Sequence, residues 1–240
     1  MNAAHPMEST RPLPVSTSVT RLERSAGFAG LAFALLVGAV NVIVGAMSPP
    51  SYNANAGEIT AFLTENRTVM AIVSSVVPFA VVALFVFLAS SFPILSKSSP
   101  EAAFWTRVGA IGIVMVEIMF IARFMYELVL MANVEKLAGE PALIETLWQL
   151  QGAAMIFNGL ALAVALLGLS RAARLGGLIP GWQEALGLGA ALAFFIAAVA
   201  SVASLEGSQI GLLGFPAFVG WLVWLALTSI RLLRTADETA

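Results

Sequence analysis

The sequence predicts an all-α polytopic membrane protein, a bundle of six transmembrane helices with both termini on the cytoplasmic side. Three observations carry that expectation. Hydrophobic residues fill 59% of the 240 positions and charged residues 11%, against about 25% charged in ordinary soluble domains. Six apolar stretches, roughly 26–47, 69–92, 105–131, 148–170, 185–205 and 210–230, each approach the ~20 residues that cross a ~30 Å hydrocarbon layer. Finally, Lys and Arg are unevenly shared between alternate connections. One side holds Arg11, Arg21, Arg24, Lys97, Arg107, Arg171, Arg174, Arg231 and Arg234, and the other only Arg67 and Lys136. Positive charge stays on the cytoplasmic side, so this bias orients the chain.

The elements follow in order. Residues 1–24, MNAAHPMESTRPLPVSTSVTRLER, are polar and rich in Pro, Ser and Thr, and read as a disordered cytoplasmic tail. The first apolar run begins only near Ser25 and is too long for a secretory signal, so 25–232 is read as one six-helix domain. Every span must be helical, because a lone strand would leave amides unpaired in lipid. In the first outer loop, GEITAFLTENR places Ile59, Phe62 and Leu63 on one face of a short helix over 57–66. That helix either lies on the membrane surface or caps the bundle. Asn66-Arg67-Thr68 matches the glycosylation acceptor pattern, but it abuts the membrane and reads as chance. Pro78 should kink the second span beside Ser74. The outer loop 132–146 carries Glu135, Glu140 and Glu145 against Lys136, an acidic solvated face. Trp105, Trp148 and Trp182 fall at span ends and Tyr52 just past one, where amphipathic rings settle; Trp221 and Trp224 read as packing residues. Residues 233–240 form a short cytoplasmic tail.

Two spans carry small residues at every fourth position. These are Ala26, Gly30, Ala34 and Gly38 in the first, and Ala185, Gly189, Ala193, Ala197 and Ser201 in the fifth. Such stripes let backbones approach closely, either within the bundle or between two copies of the chain. Three spans followed by three permit an inverted repeat, and Asn41 and Asn158 hold loosely corresponding places; nothing further matches.

The third span, VMVEIMFIARFMYELVLM over 114–131, contains Glu117, Arg123 and Glu127. Charges at mid-membrane cost about 2.5–3.5 kcal/mol each on insertion scales, so they mark either function or a specific internal pairing. Arg123 and Glu127 are an i,i+4 pair about 40° apart on the helix, and Glu117 is about 80° from Glu127. All three should face the bundle interior. Arg123 and Glu127 can neutralise each other, whereas Glu117 has no local partner. It is expected either protonated and hydrogen-bonded to Asn41, Asn158 or a backbone carbonyl, or ionised in a hydrated cavity beside Arg123. With Asn41, Asn158, Gln149 and Gln151 these residues suggest an outward-opening polar cavity between the first, third and fourth spans. The bland alternative is a buried polar cluster that only fixes helix register.

Absences narrow the chemistry. No cysteine is present, the one histidine is His5, and the one aspartate is Asp237. Histidine-ligated haem, a retinal Schiff base, aspartyl proteolysis, HExxH metal sites and P-loop hydrolysis therefore have no residues in the spans. No cofactor or metal is expected. A formal net charge of -2 argues against nucleic acid as a partner.

NANAGEITAFLTENRTVM over 53–70 and GGLIPGWQEALGLGAALA over 176–193 give the chain a likeness to known proteins. It resembles a broad group of uncharacterised six-helix membrane proteins of bacteria, of the actinobacterial type. Ile179-Pro180-Gly181-Trp182 is similar to the Pro-x-Trp turn before their fifth helix, and Gln183-Glu184 departs from their usual Leu-Gly continuation. The resemblance implies an inner-membrane location and carries no activity with it. The functional expectations are thus a permease-like or ligand-, ion- or lipid-binding membrane protein, then a non-catalytic assembly partner, then a lipid-modifying enzyme.

Overall fold

The computed structural model describes the backbone of residues 15–238 and the side chains of residues 19–238. The first fourteen residues of the expected tail, with His5 and Arg11, lie outside the described residues, as do the last two of the chain. The protein is 87% helical without strands among the described residues. It consists of α1 (Val15–Ala46), α2 (Ala56–Glu65), α3 (Arg67–Ser96), α4 (Pro100–Asn133), α5 (Pro141–Leu175), α6 (Gly181–Val199), α7 (Ser201–Leu205), a 3-10 turn (Gln209–Leu213) and α8 (Gly214–Glu238). Six of the helices are long and apolar enough to cross a membrane. The chain is a multi-pass membrane protein.

Its outer surface agrees with a lipid solvent. Phe28, Leu35, Phe79, Val82, Ile111 and Leu192 are all exposed. A soluble protein with so many large apolar side chains outside would aggregate. Neighbouring helices close a ring in the order α1, α3, α4, α5, α6, α8 and back to α1. Of the six, α5 is the most enclosed.

Packing within the ring depends on glycine. Lipid tails are as apolar as leucine, so helices join through close van der Waals contact instead of water exclusion. A Cβ on Gly112 of α4 would strike the backbone of Ala165 on α5, and one on Gly168 of α5 would strike the backbone of Gly109. The first-span stripe works within the molecule: a Cβ on Gly30 would strike Ser229 of α8 and meet Phe87 of α3. The fifth-span stripe is divided: Ala193 packs on the core and Ala197 lines a cavity, whereas its first two residues do not pack. Ala185 and Gly189 are exposed, and nothing lies within 4 Å of a Cβ on Gly189. Gly187 is the α6 glycine that packs, against Trp224 of α8 at 3.0 Å.

Several boundaries differ from the sequence reading. Residues 15–24 are helical, not tail, because α8 runs on to Glu238 and gives the first turns of α1 a surface to join. Arg24 contacts Asp237 at 3.2 Å there, and Glu23 and Ala236 are buried. The stretch 185–205 is interrupted at Ala200, and α7 is a separate single turn. α3 passes through Pro78 and Pro93 without a break.

α2 turns Ile59, Phe62 and Leu63 into the protein, against Met70, Leu130, Ile144 and Trp148. The short helix is a cap, and its apolar face is not available to lipid. Asn55 closes its N-terminus by accepting the amide N–H of Glu58 at 3.0 Å. Glu145 of α5 accepts that of Ala56 at 3.0 Å and fastens the cap to the bundle.

The glycine contacts yield a paired prediction. Gly112→Val should destabilise the folded protein by about 1–3 kcal/mol, the usual cost of forcing methyl groups into a packed seam. Gly189→Val should leave it unchanged. Thermal unfolding of both variants in detergent, followed by size-exclusion chromatography, reads the difference. Equal melting would show that the α4–α5 seam is not the tight contact.

Candidate ligand-binding cavity

A cavity of about 540 Å³ lies at the α2 end of the ring, between the main core and the cap. Three of the spans that the sequence singled out supply polar residues to it, and Ser51, Tyr52, Ser204, Ser208 and Gln209 add others. α1 supplies Asn41, α4 supplies Arg123 and Glu127, and α5 supplies Gln151 and Asn158. Most of the remaining wall is apolar, with Val44, Leu162, Phe194, Phe215 and Phe218 among its residues. α6, the 3-10 turn and α8 contribute to it as well, which the sequence reading did not foresee.

Arg123 and Glu127 form the charged pair of the wall. One terminal guanidinium nitrogen lies 3.0 Å from a Glu127 carboxylate oxygen, and the side chains are 16% and 1% exposed. No N–H points well enough along that line to make a formal hydrogen bond, so both Glu127 oxygens are occluded and held by charge alone. The Phe124 ring covers one side of the guanidinium, 4.7 Å from ring centre to carbon. This contact adds cation–π attraction.

The loop between α1 and α2 contributes as well. The Tyr52 ring lies flat on α5 because residue 152 is glycine; a Cβ there would come within 2.6 Å of the ring. Burial pushes the Tyr52 phenol up from its ordinary value, with the nearby Arg123 charge pulling the other way. Trp148 is buried beneath the cap and donates its indole N–H to the Ser51 carbonyl at 3.0 Å. Both rings had been expected among the headgroups at the membrane edge. They instead fix the loop to α5. Trp182 is exposed at the other end of the bundle, and Trp221 and Trp224 pack in the core.

Two expected site residues are not on the cavity wall. Gln149 is exposed. It stands two positions, about 200°, from Gln151, so one helix cannot turn both inward. Glu117 is 1% exposed and enclosed by protein, below the cavity floor. It is about 9 Å along α4 from Arg123, toward the glycine seam. Neither expected partnership is present. Arg123 contacts Glu127, Asn41 donates to its own Val37 carbonyl at 2.8 Å, and both Glu117 oxygens lack a hydrogen-bond partner.

The tyrosine and the apolar residues of α6 and α8 escaped the sequence reading for a physical reason. Phe194 and Phe218 do not differ in type from the phenylalanines that face lipid. Only the ring order of the helices turns them toward a hollow.

Two predictions follow from this geometry. Glu117→Gln should melt at the same temperature as the wild type or higher, because no partner is lost and a buried charge-bearing group is removed. A clear fall in melting temperature would show that the carboxyl is engaged. Arg123→Gln should cost about 3–5 kcal/mol by leaving the Glu127 carboxylate unpaired. The double variant Arg123→Gln/Glu127→Gln should recover most of that loss, as read by a double-mutant cycle of unfolding free energies.

Comparison of the chain with protein-family models, curated proteins and solved structures returns no match.

Proposed function

We propose that this membrane protein binds one small amphiphilic molecule in the cavity at the α2 end, as a carrier or receptor for it. The observation that carries this reading is the mixed wall. Arg123, Glu127, Gln151, Asn158 and Tyr52 line the same hollow as Val44, Leu162, Phe194 and Phe218. Pockets for organic ligands measure about 300–1,000 Å³ and combine apolar walls with a few convergent polar groups. A bare ion has no use for the phenylalanines, and a plain hydrocarbon has none for the charged pair.

The Lys and Arg bias supports an orientation with both termini in the cytoplasm, and hence with this cavity toward the outer face. The resemblance to six-helix bacterial proteins supports the inner membrane as its location. A role as an assembly partner has its own support in the exposed α6 stripe at Ala185 and Gly189, where another helix has room to approach.

The test is equilibrium binding of radiolabelled oleic acid, oleyl alcohol and oleylamine to the protein in nanodiscs, corrected with empty nanodiscs. At least one probe should bind saturably, about one per protein. Ala197 lies on the cavity wall and Ala185 on the outer face of α6. Ala197→Trp should weaken binding about tenfold or more by filling the hollow, and Ala185→Trp should not. Absence of saturable binding for all three probes, or equal binding by Ala197→Trp, would remove the reading.

A further inference from the structure

We infer that the head of the bound amphiphile is an anionic oxygen group, a carboxylate or a phosphate, received by Arg123. This rests on the amphiphile reading and names the end of the molecule that the polar wall recognises.

The argument turns on which polar atoms the cavity presents. Both Glu127 oxygens, the Gln151 side-chain oxygen and the Asn158 side-chain oxygen are occluded. The Arg123 nitrogens and the two amide nitrogens are not among the occluded, unpartnered atoms. The amides can be turned either way round at similar cost, so they do not fix the sign. Arg123 does. A guanidinium has five N–H donors and no acceptor, more than the Glu127 carboxylate at 3.0 Å can occupy.

Phe124 blocks one face of the guanidinium, so a ligand meets it at a donor edge. An oxygen anion fits such an edge with two parallel hydrogen bonds. A cation would have to reach the Glu127 oxygens, which side chains already cover. Tyr52, close enough for the Arg123 charge to act on its phenol, adds a neutral donor on the same side.

The source of this anion is the bilayer and not the aqueous phase. Leu212 and Phe215 border the cavity at the start of the last span and are 68% and 71% exposed. Asn41 and Val44 of α1 border it from the neighbouring helix in the ring. Apart from Asn41 this rim is apolar, and it lies between two membrane-spanning segments. An acyl chain can lie across it with its head on Arg123 and its tail among the lipids.

Oleate, oleyl alcohol and inorganic phosphate distinguish the possibilities in wild-type nanodiscs at neutral pH. Oleate should bind about tenfold or more tighter than oleyl alcohol, the range of a charge-assisted hydrogen bond. Inorganic phosphate at tens of millimolar should fail to displace it. The double variant Arg123→Gln/Glu127→Gln, which leaves no buried charge unpaired, should bind the two oleyl probes alike. Equal binding of oleate and oleyl alcohol by the wild type overturns the head-group assignment while leaving the amphiphile reading in place. Retained oleate preference in the double variant overturns the role of Arg123. Full displacement by phosphate overturns the membrane source. Failure of every oleyl probe removes the inference together with the reading beneath it.

Discussion

The contact between α4 and α5 is the constraint on which the rest of the bundle depends. In lipid, no water is released when two helices meet, so only close packing and polar contacts hold them. Gly109, Gly112 and Gly168 allow backbone to meet backbone along this seam. That contact fixes the rotation of both helices at once. With Gly112 against α5, Arg123 and Glu127 stand above it on the same side of α4, about 20° and 60° round the helix. Each is turned into protein, and the cost of a charge among acyl chains is avoided. The antiparallel partner brings Asn158 and Gln151 to the same end. The polar wall of the cavity is thus a consequence of a seam made of residues without side chains.

The three charges of α4 then differ in height and in direction, with Glu117 about 120° round the helix from Arg123. Arg123 and Glu127 are one helical turn apart, and each lowers the cost of the other. Pairing also limits what the site can present. The carboxylate is consumed inside the wall, and the guanidinium keeps an open edge. A helix with the same residues in the opposite order would offer a carboxylate to the cavity and select a cation. Glu117 lies nearer the seam, where helices are too close for a hollow. It has neither an ionic partner nor a hydrogen bond.

Much of this was legible in the sequence, for reasons that can be stated. The spans show because about 20 apolar residues in succession have few other uses. The interior placement of Arg123 and Glu127 follows from their cost in lipid and their spacing of four. Other features were beyond reach. The sequence gives a period of four for the α6 stripe, yet Gly187, outside that period, is the glycine that packs. A stripe predicts that close approach is possible, not which neighbour uses it. Gln149 and Gln151 looked equivalent because both are polar near a span end, and 200° of helix separates them. The inward phenylalanines carry no signal at all, since a cavity lined by apolar residues and a surface facing lipid share one composition.

The irregular stretch between α6 and α8 gives the last step. Non-helical backbone at membrane depth survives only where protein or a cavity satisfies it. Here the chain leaves helix geometry at Ala200, makes the short α7, and passes through Gly207 at a positive φ of 92° into the 3-10 turn. Asn53 of the loop between α1 and α2 donates to the Glu206 carbonyl at 3.1 Å, and the Ser208 hydroxyl accepts the amide of Ile210 at 3.3 Å. Loop and turn are therefore tied together above the hollow, and Gly207, Ser208, Gln209 and Gly211 line it. A continuous helix from α6 would have carried its side chains past this level and had no short route back into α8. By ending α6 after 19 residues, the chain starts α8 beside α1 with Phe215 at the rim. The same break that closes the top of the cavity with tied loops leaves its side bordered by apolar residues, which is the arrangement a ligand drawn from the bilayer requires.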